Sequence, residues 1–429
     1  MTVCNLFRVR SAASTLGGSD EDGGIDVHKK VLMVVVVDTN TPEEKPVRRR
    51  FATMPSELQR FRIWLEEQGV EEAVMESTAQ YWRSVWFELE AHMRLHLAQA
   101  FSNRAPRGRK HDFKDAERLV RRLMADELIL SFVPSGEQRI WRSMTRMKLQ
   151  LTRDRVRLQN QIESLLEEMR IKLLIVVSNL LGASGLRILH ALANGETDPK
   201  KLAQLGGERL QCTEEQLVDA LTGRAQPVHG EMLALQLQRL QLIDQQMARL
   251  NSMIAAAMKA HQDAVIRLAE VPGLGVDSVQ QIIAKVGAQA STFASAAELT
   301  SWVGTCPGKE ESAERNRSSR SAKGNKYLRR VLNQAAHAAV AKKGSYFQML
   351  FRRLLPRLGY QSAVWAIAHR LCRLVWKILH EGVRYIEQGG EADPRTKKKR
   401  AQMLARALRK LGYQVTITPI NQITATNEI

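Results

Sequence analysis

At 429 residues, 44% hydrophobic and 25% charged, the chain is long enough for two or three cores and has the composition of an ordinary soluble globular protein. Its 64 Lys and Arg against 45 Asp and Glu leave a formal charge of +19, a surplus that favours polyanions, of which nucleic acid is the commonest. No apolar run approaches the ~18 residues of a bilayer helix, and Met1–Asp20 has no apolar segment ending in a cleavage site, so no membrane association and a cytoplasmic location are expected.

Four scattered cysteines, Cys4, Cys212, Cys306 and Cys372, form no CxxC pair and read as cytosolic thiols, most of them packing residues. Residues 1–22 read as a loose polar extension. The chain is organised around Val31–Val37, too short for a membrane span and too β-branched for a good helix, hence a buried strand with Asp26 at its head. Val47–Met54 reads as a second strand, and Ser56 as the cap of a helix reaching Gln68. A short strand Ala73–Glu76, a helix Tyr81–Leu89, a strand Leu95–Phe101, a basic loop Asn103–Lys110 and a helix from Asp112 toward Met124 complete residues 23–134 as an α/β domain.

From 135 to 262 the pattern is helical. Ile140, Met144, Met147, Leu151, Leu158, Ile162, Leu165 and Met169 recur at steps of three and four, with an interruption near Asp154. A second seam runs through Leu233, Leu240, Ile243, Met247, Leu250 and Ile254, so a long coiled-coil-like middle is expected, paired within the chain or with another copy. Short helices broken by Gly, Asp-Pro and Gln-Pro separate the two. Residues 263–390 read as a mainly α domain opening on Val271-Pro272-Gly273-Leu274-Gly275, similar to a helix-hairpin-helix in which the backbone at Gly273 and Gly275 meets a phosphate. Residues 391–429, with Arg395 and Lys397 to Arg400, form a basic tail.

Carboxylates stand at the ends of these elements: Asp26 before the first strand, Glu76 where the chain leaves another, and Asp112 and Asp115 three apart on a helix start, hence on one side. Four converging carboxylates repel one another unless divalent cations intervene, and Mg²⁺ accepts such oxygen ligands. Two ions held together can drive phosphodiester cleavage. A second constellation surrounds Ser312: eight basic residues lie between Lys309 and Arg330 against three acids, in a Pro-, Gly- and Ser-rich loop or hairpin. Cations there suit phosphate binding, with a serine either donating hydrogen bonds or attacking phosphorus.

Together these motifs resemble the insertion-sequence transposases of the IS-one-ten family, in which a RuvC-like DEDD domain is joined to a C-terminal serine domain and which act as bridge-RNA-guided recombinases. The resemblance runs from Gly23 to about Glu387 and rests on Gly24-Ile25-Asp26-Val27-His28-Lys29, Met75-Glu76-Ser77-Thr78, Arg109-Lys110-His111-Asp112-Phe113-Lys114-Asp115-Ala116, Val271 to Gly275, and Cys306-Pro307-Gly308 through Lys323-Gly324-Asn325. It implies an RNase H/RuvC-like fold for the first domain, Asp26, Glu76, Asp112 and Asp115 as an Mg²⁺-binding tetrad, and Ser312 as a nucleophile joined covalently to DNA. It also implies donor and target DNA selected by a structured noncoding bridge RNA, and a site shared between protomers of a dimer or tetramer. The family often carries Ser-Ser-Gly-Gly at the nucleophile where this chain has Glu311-Ser312-Ala313-Glu314, which leaves Ser318, Ser319 and Ser321 as further hydroxyls.

The function expected is a transposase that cuts and rejoins DNA through a serine–DNA ester. Arg104, Arg107, Arg109, Lys110, Lys309, Arg315, Arg317, Arg320, Lys323, Lys326 and Arg329 are the expected holders of backbone phosphates. Two alternatives stand beside it. A RuvC-like junction endonuclease using metal-activated water would keep cleavage after Ser312→Ala. A non-catalytic nucleic-acid-binding protein would survive replacement of the carboxylates by amides.

Overall fold

The computed structural model of the chain describes residues 21–41, 45–76, 79–100, 112–207, 210–307, 310–312, 315–318 and 321–387, with isolated positions between 402 and 409. Its residues cluster into two compact units, Met1–Ser135 and Gly136–Ile429.

The first unit is a mixed sheet with helices on both faces. In chain order it contains β1 (Glu21–Val27), β2 (Val31–Asp38), β3 (Val47–Ala52), α1 (Pro55–Glu67), β4 (Val70–Glu76), α2 (Trp82–Leu89), β5 (Arg94–Ala98) and α3 (Asp112–Met124). The strands lie in the order β3-β2-β1-β4-β5, antiparallel from β3 to β1 and parallel from β1 to β5. Why β2 is so apolar follows from this: Leu32, Val34 and Val36 enter a core with Phe51, Phe61, Leu65 and Met75, while Val35 and Val37 enter another with Val74, Leu119 and Val120. A strand covered on both sides has no polar face to alternate with.

Two local expectations need correction. Asp26 does not head the Val31 strand; it lies near the end of a strand of its own, and that strand is central in the sheet. Glu21-Asp22-Gly23-Gly24 has poor strand propensity, but ladders to β2 on one side and β4 on the other override it. Ser56 is not the cap of α1: Met54 holds that position with Pro55 in the first turn, where its fixed φ and missing N–H cost nothing.

Among its described residues the second unit is helical apart from one hairpin. It begins with α4 (Gly136–Glu168), then α5 (Leu173–Val176), α6 (Ala183–Ala193), α7 (Pro199–Gln204), α8 (Glu214–Leu221) and α9 (Pro227–Ala257). Next come α10 (Gln262–Ala269), α11 (Val276–Val286), α12 (Ala296–Val303), β6 (Glu310–Ser312) and β7 (Arg315–Ser318), followed by α13 (Lys326–Ala341), α14 (Tyr346–Leu358) and α15 (Tyr360–Glu381). The breaks among the short helices are chemically plain. Asp198 caps α7 by accepting from the Lys200 N–H at 2.9 Å with Pro199 behind it, and Thr213 and Gln216 form a reciprocal capping box on α8.

The long helices α4 and α9 pack against each other within the chain, antiparallel: the Trp141 indole N–H donates to the Ala257 carbonyl at 3.2 Å, and Arg155 meets Asp244 at 2.8 Å. Leu158, Ile162 and Leu165 share a core with Leu233, Leu237 and Leu240. α4 passes Asp154 without interruption, because that carboxylate reaches solvent and Arg157 at 3.1 Å. Two seam positions also fall on the wrong side: Ile140 and Met147 are 58% and 51% exposed. Near its start α4 meets α11, where Arg142 donates to the carbonyls of Ala284 and Lys285 and so satisfies the last turn of that helix. Lys285 itself is 6% exposed, its ammonium 4.7 Å from the Tyr327 ring centroid.

Candidate functional site

The acidic site is built by a glycine. Along β1, Ile25 and Val27 point into one core, so Gly24 and Asp26 face α3. A Cβ on Gly24 would stand 2.2 Å from the Ala116 carbonyl oxygen, so only glycine lets α3 come this close. That approach lays the first turn of α3, with Asp112 and Asp115, over the end of β1. On the neighbouring parallel strand Ile25 pairs with Met75, so Glu76 is the next step beside Asp26 and shares its face with Val74, which packs against α3.

One oxygen of Asp26, one of Asp112 and an imidazole nitrogen of His28 all lie within 4.8 Å of one another. His28 Nε2 is 3.1 Å from Asp26 Oδ2 and 3.9 Å from Asp112 Oδ1. Burial pushes the Asp26 carboxyl above its usual range; His28 pulls it partly back, and the charges of Asp112 and Asp115 push it up again. Asp115 meets Arg118 at 3.6 Å. Two carboxylates with an imidazole form a donor set that fits a divalent cation. His28 was not among the sequence candidates for this cluster. The available signal was its place two residues after Asp26, in the turn closed by the His28 N–H to the Val31 carbonyl at 3.0 Å.

The serine segment is a hairpin, with Ser312 the last residue of β6 and opposite Arg315 of β7. Its two ends are tied together below. A Cβ on Gly324 would lie 2.2 Å from the Val303 carbonyl oxygen, and Arg329 donates to the carbonyls of Gly304 and Ala322 and to Ser321 Oγ. The Arg329 guanidinium also lies 4.5 Å from the Trp365 ring centroid. Arg329 is thus a brace for the hairpin, not an open phosphate ligand as expected. The helix behind it is capped by Asn325, whose side chain accepts from the N–H groups of Tyr327 and Leu328.

Among the remaining phosphate-binding candidates, Lys323 and Lys326 are exposed, and Arg315 and Arg317 stand in β7. Arg104, Arg107, Arg109, Lys110, Lys309 and Arg320 lie outside the described residues, as do the Ser77-Thr78 pair, Ser319 and the Arg395–Arg400 cluster. The hairpin between α10 and α11 differs from the expectation of an open phosphate loop. Gly273 has φ +86° and faces α13, where a Cβ would come within 2.2 Å of the Ala335 carbonyl oxygen. Close helix packing, not ligand approach, demands that glycine. Gly275 caps α11 with open space beside it, but Asp277 occupies the same helix end, held by Lys148 and Gln281.

Similarity to known proteins fixes the family. A DEDD transposase profile of IS110 type matches residues 23–171, and a profile described as "Transposase IS116/IS110/IS902 family" matches residues 266–352. The chain belongs to the IS110 family of transposases. It is also 26% identical over 374 residues to a "Probable family 20 transposase" of Pseudomonas aeruginosa, spanning 84% of this chain and 97% of that one. The mixed sheet carrying the acids falls within the DEDD match, and the serine hairpin within the second. Among the described residues of this transposase, no helix is long and apolar enough to cross a membrane.

Proposed function

We propose that this transposase cuts and rejoins DNA strands through a serine–DNA ester, with Asp26, Glu76, Asp112 and Asp115 holding Mg²⁺ and Ser312 as the nucleophile. The observation that carries the reading is the cluster of Asp26, His28 and Asp112 ligand atoms within 4.8 Å of one another, with Asp115 close enough for its charge to act on Asp26. Bound there, a divalent cation supplies charge neutralisation and Lewis acidity toward phosphate oxygens. The chain's residues do the rest. The Ser312 hydroxyl oxygen forms a bond to phosphorus, one bridging ester oxygen departs, and the proton lost by serine balances the one the leaving hydroxyl gains. Attack by a strand hydroxyl on the phosphoserine ester reverses these steps, so strands rejoin without ATP. Exposed cations such as Lys323 and Lys326 hold the backbone and make binding steeply salt-dependent.

The reading extends to partners. A structured noncoding RNA from the element pairs with donor and target DNA, and the acidic domain of one protomer serves the serine domain of another in a dimer or tetramer. The test is a denaturing-gel trap for a protein–DNA adduct made by the full chain with Mg²⁺, the element's noncoding RNA and DNA bearing the element's ends. The adduct forms with the native chain and disappears in Ser312→Ala. Its persistence in that variant removes Ser312, and cleavage without any adduct favours metal-activated water.

A further inference from the structure

In the helical unit, a groove of about 650 Å³ opens between α15, the start of α14 and residues 383–386. We propose that this groove binds an unpaired segment of RNA, with Arg370, Arg373 and Lys377 on its phosphates and Tyr346, Trp376 and Tyr385 against its bases. The proposal deepens the RNA-guided reading and rests on it for the origin of the RNA; the recognition chemistry is argued from the groove alone.

Arg370, Arg373 and Lys377 are spaced three and four apart, so they form one row along α15, and all three are exposed. Among the described residues neither Arg370 nor Arg373 has a carboxylate within 4.0 Å, whereas Lys377 meets Glu381 at that distance and Arg384 meets Glu270 at 3.6 Å. Two guanidinium groups are therefore left for an external anion. Two aromatics of the wall are tied to the fold. The Trp376 indole N–H donates to the Phe293 carbonyl at 2.9 Å, and its ring stacks on His380 at 4.4 Å and 15°. Tyr346 is held at the head of α14, where its backbone N–H donates to Glu387 at 2.9 Å.

Cations beside aromatic faces are what a single strand requires, because every unpaired base offers a π-face and every linkage a charge. A duplex could present only its backbone, since its bases are stacked inside. The carboxylate of Glu381 separates RNA from DNA. It ends the cationic row, where a phosphate would be repelled, but a ribose 2′-hydroxyl can donate a hydrogen bond to it and deoxyribose cannot.

The experiment is fluorescence anisotropy of the full chain with a labelled, unstructured oligoribonucleotide of about eight nucleotides, and with the deoxy oligomer of the same sequence, at several salt concentrations. The double reversal Arg370→Glu/Arg373→Glu is compared with Arg352→Glu/Arg353→Glu, an equal charge change at exposed α14 positions that do not line the groove. The groove pair is expected to weaken RNA binding at least tenfold more than the control pair and to flatten the salt dependence; Glu381→Gln is expected to narrow the preference for RNA. Tyr346→Ala, which leaves the charge row untouched, is expected to weaken binding several-fold and keeps the proposal testable if the reversed pair melts early. Equal losses from both pairs would show diffuse attraction and overturn the site. Equal binding of the deoxy oligomer would assign the groove to single-stranded DNA and overturn the RNA proposal. The adduct trap with Ser312→Ala reads strand chemistry alone, so either reading can fail without the other.

Discussion

The two units treat uncompensated charge in opposite ways. In the sheet unit, Asp26, Asp112 and Asp115 lie near one another at half-exposed positions, and burial with mutual repulsion raises the Asp26 carboxyl. In the helical unit, Arg142, Arg146 and Lys285 crowd one another in the interior, and burial pulls Lys285 down to about 7 and Arg142 to about 10. Arg142 is held by two backbone carbonyls, whereas the Lys285 ammonium lies over the Tyr327 ring with no hydrogen-bond acceptor among the described residues. Among the described residues, His28 meets Asp26 at 3.1 Å and Arg118 meets Asp115 at 3.6 Å. Ligand atoms gathered at a half-exposed position are open to a cation, whereas half-buried Arg142 and buried Lys285 belong to the packing.

That contrast is broken most severely at Asp26. Asp26→Asn is expected to lower strand cleavage on the order of a thousandfold, while raising the melting temperature measured in chelator, since it removes a repelled charge. Loss of activity accompanied by a lower melting temperature would mean that Asp26 serves the fold. Next come the glycines that admit helices. Gly24→Ala and Gly273→Ala are each expected to cost about 2–4 kcal/mol in denaturant titrations, one against the Ala116 carbonyl and one against Ala335 with an added positive-φ strain. The Gly24 change alone should also weaken divalent-cation binding, because it displaces the turn carrying Asp112.

Lys285→Met sharpens the interior half of the comparison. A lysine lowered to about 7 in the folded chain binds fewer protons than in the unfolded one, so native stability rises between pH 7 and 10. The variant should flatten that rise and gain about 2 kcal/mol at pH 7, read from melting curves at both pH values. Asp22 gives the smallest effect and the opposite sign. Burial first, then Glu72 and Glu21, raise it to about 6, so stability falls as pH climbs from about 4 to 6. Asp22→Asn should remove that fall and gain about 1 kcal/mol at pH 8 after allowance for solvent screening, with no gain at pH 4.

Particular residues show what was legible. Val31–Asp38 could be read as a strand because burial on both faces leaves a continuous apolar run. Asp112 could be read as a helix start because the acidic first turn and the stripe Ala116, Leu119, Val120 are local. β1 could not, since Glu21 to Gly24 has poor strand propensity and its second ladder comes from β4, more than forty residues further on. His28 was missed for a related reason: the Asp112 oxygen near it arrives from 84 residues further on. Arg329 read as one more cation in a basic segment, and only its three internal acceptors and the Trp365 ring give it a bracing role.

The sequence by itself determined the basic charge, the alternation of strands and helices before residue 135, the two long helical seams after it, and the order of the acids along the chain. These are properties of composition and of near-neighbour periodicity. Tertiary structure decided which strand is central, that the two seams face each other within one chain, and that Gly24 and Gly273 are glycine to admit a neighbouring helix. Each of those depends on contacts between residues remote in sequence, where register and close approach choose the partner and local propensity has no vote.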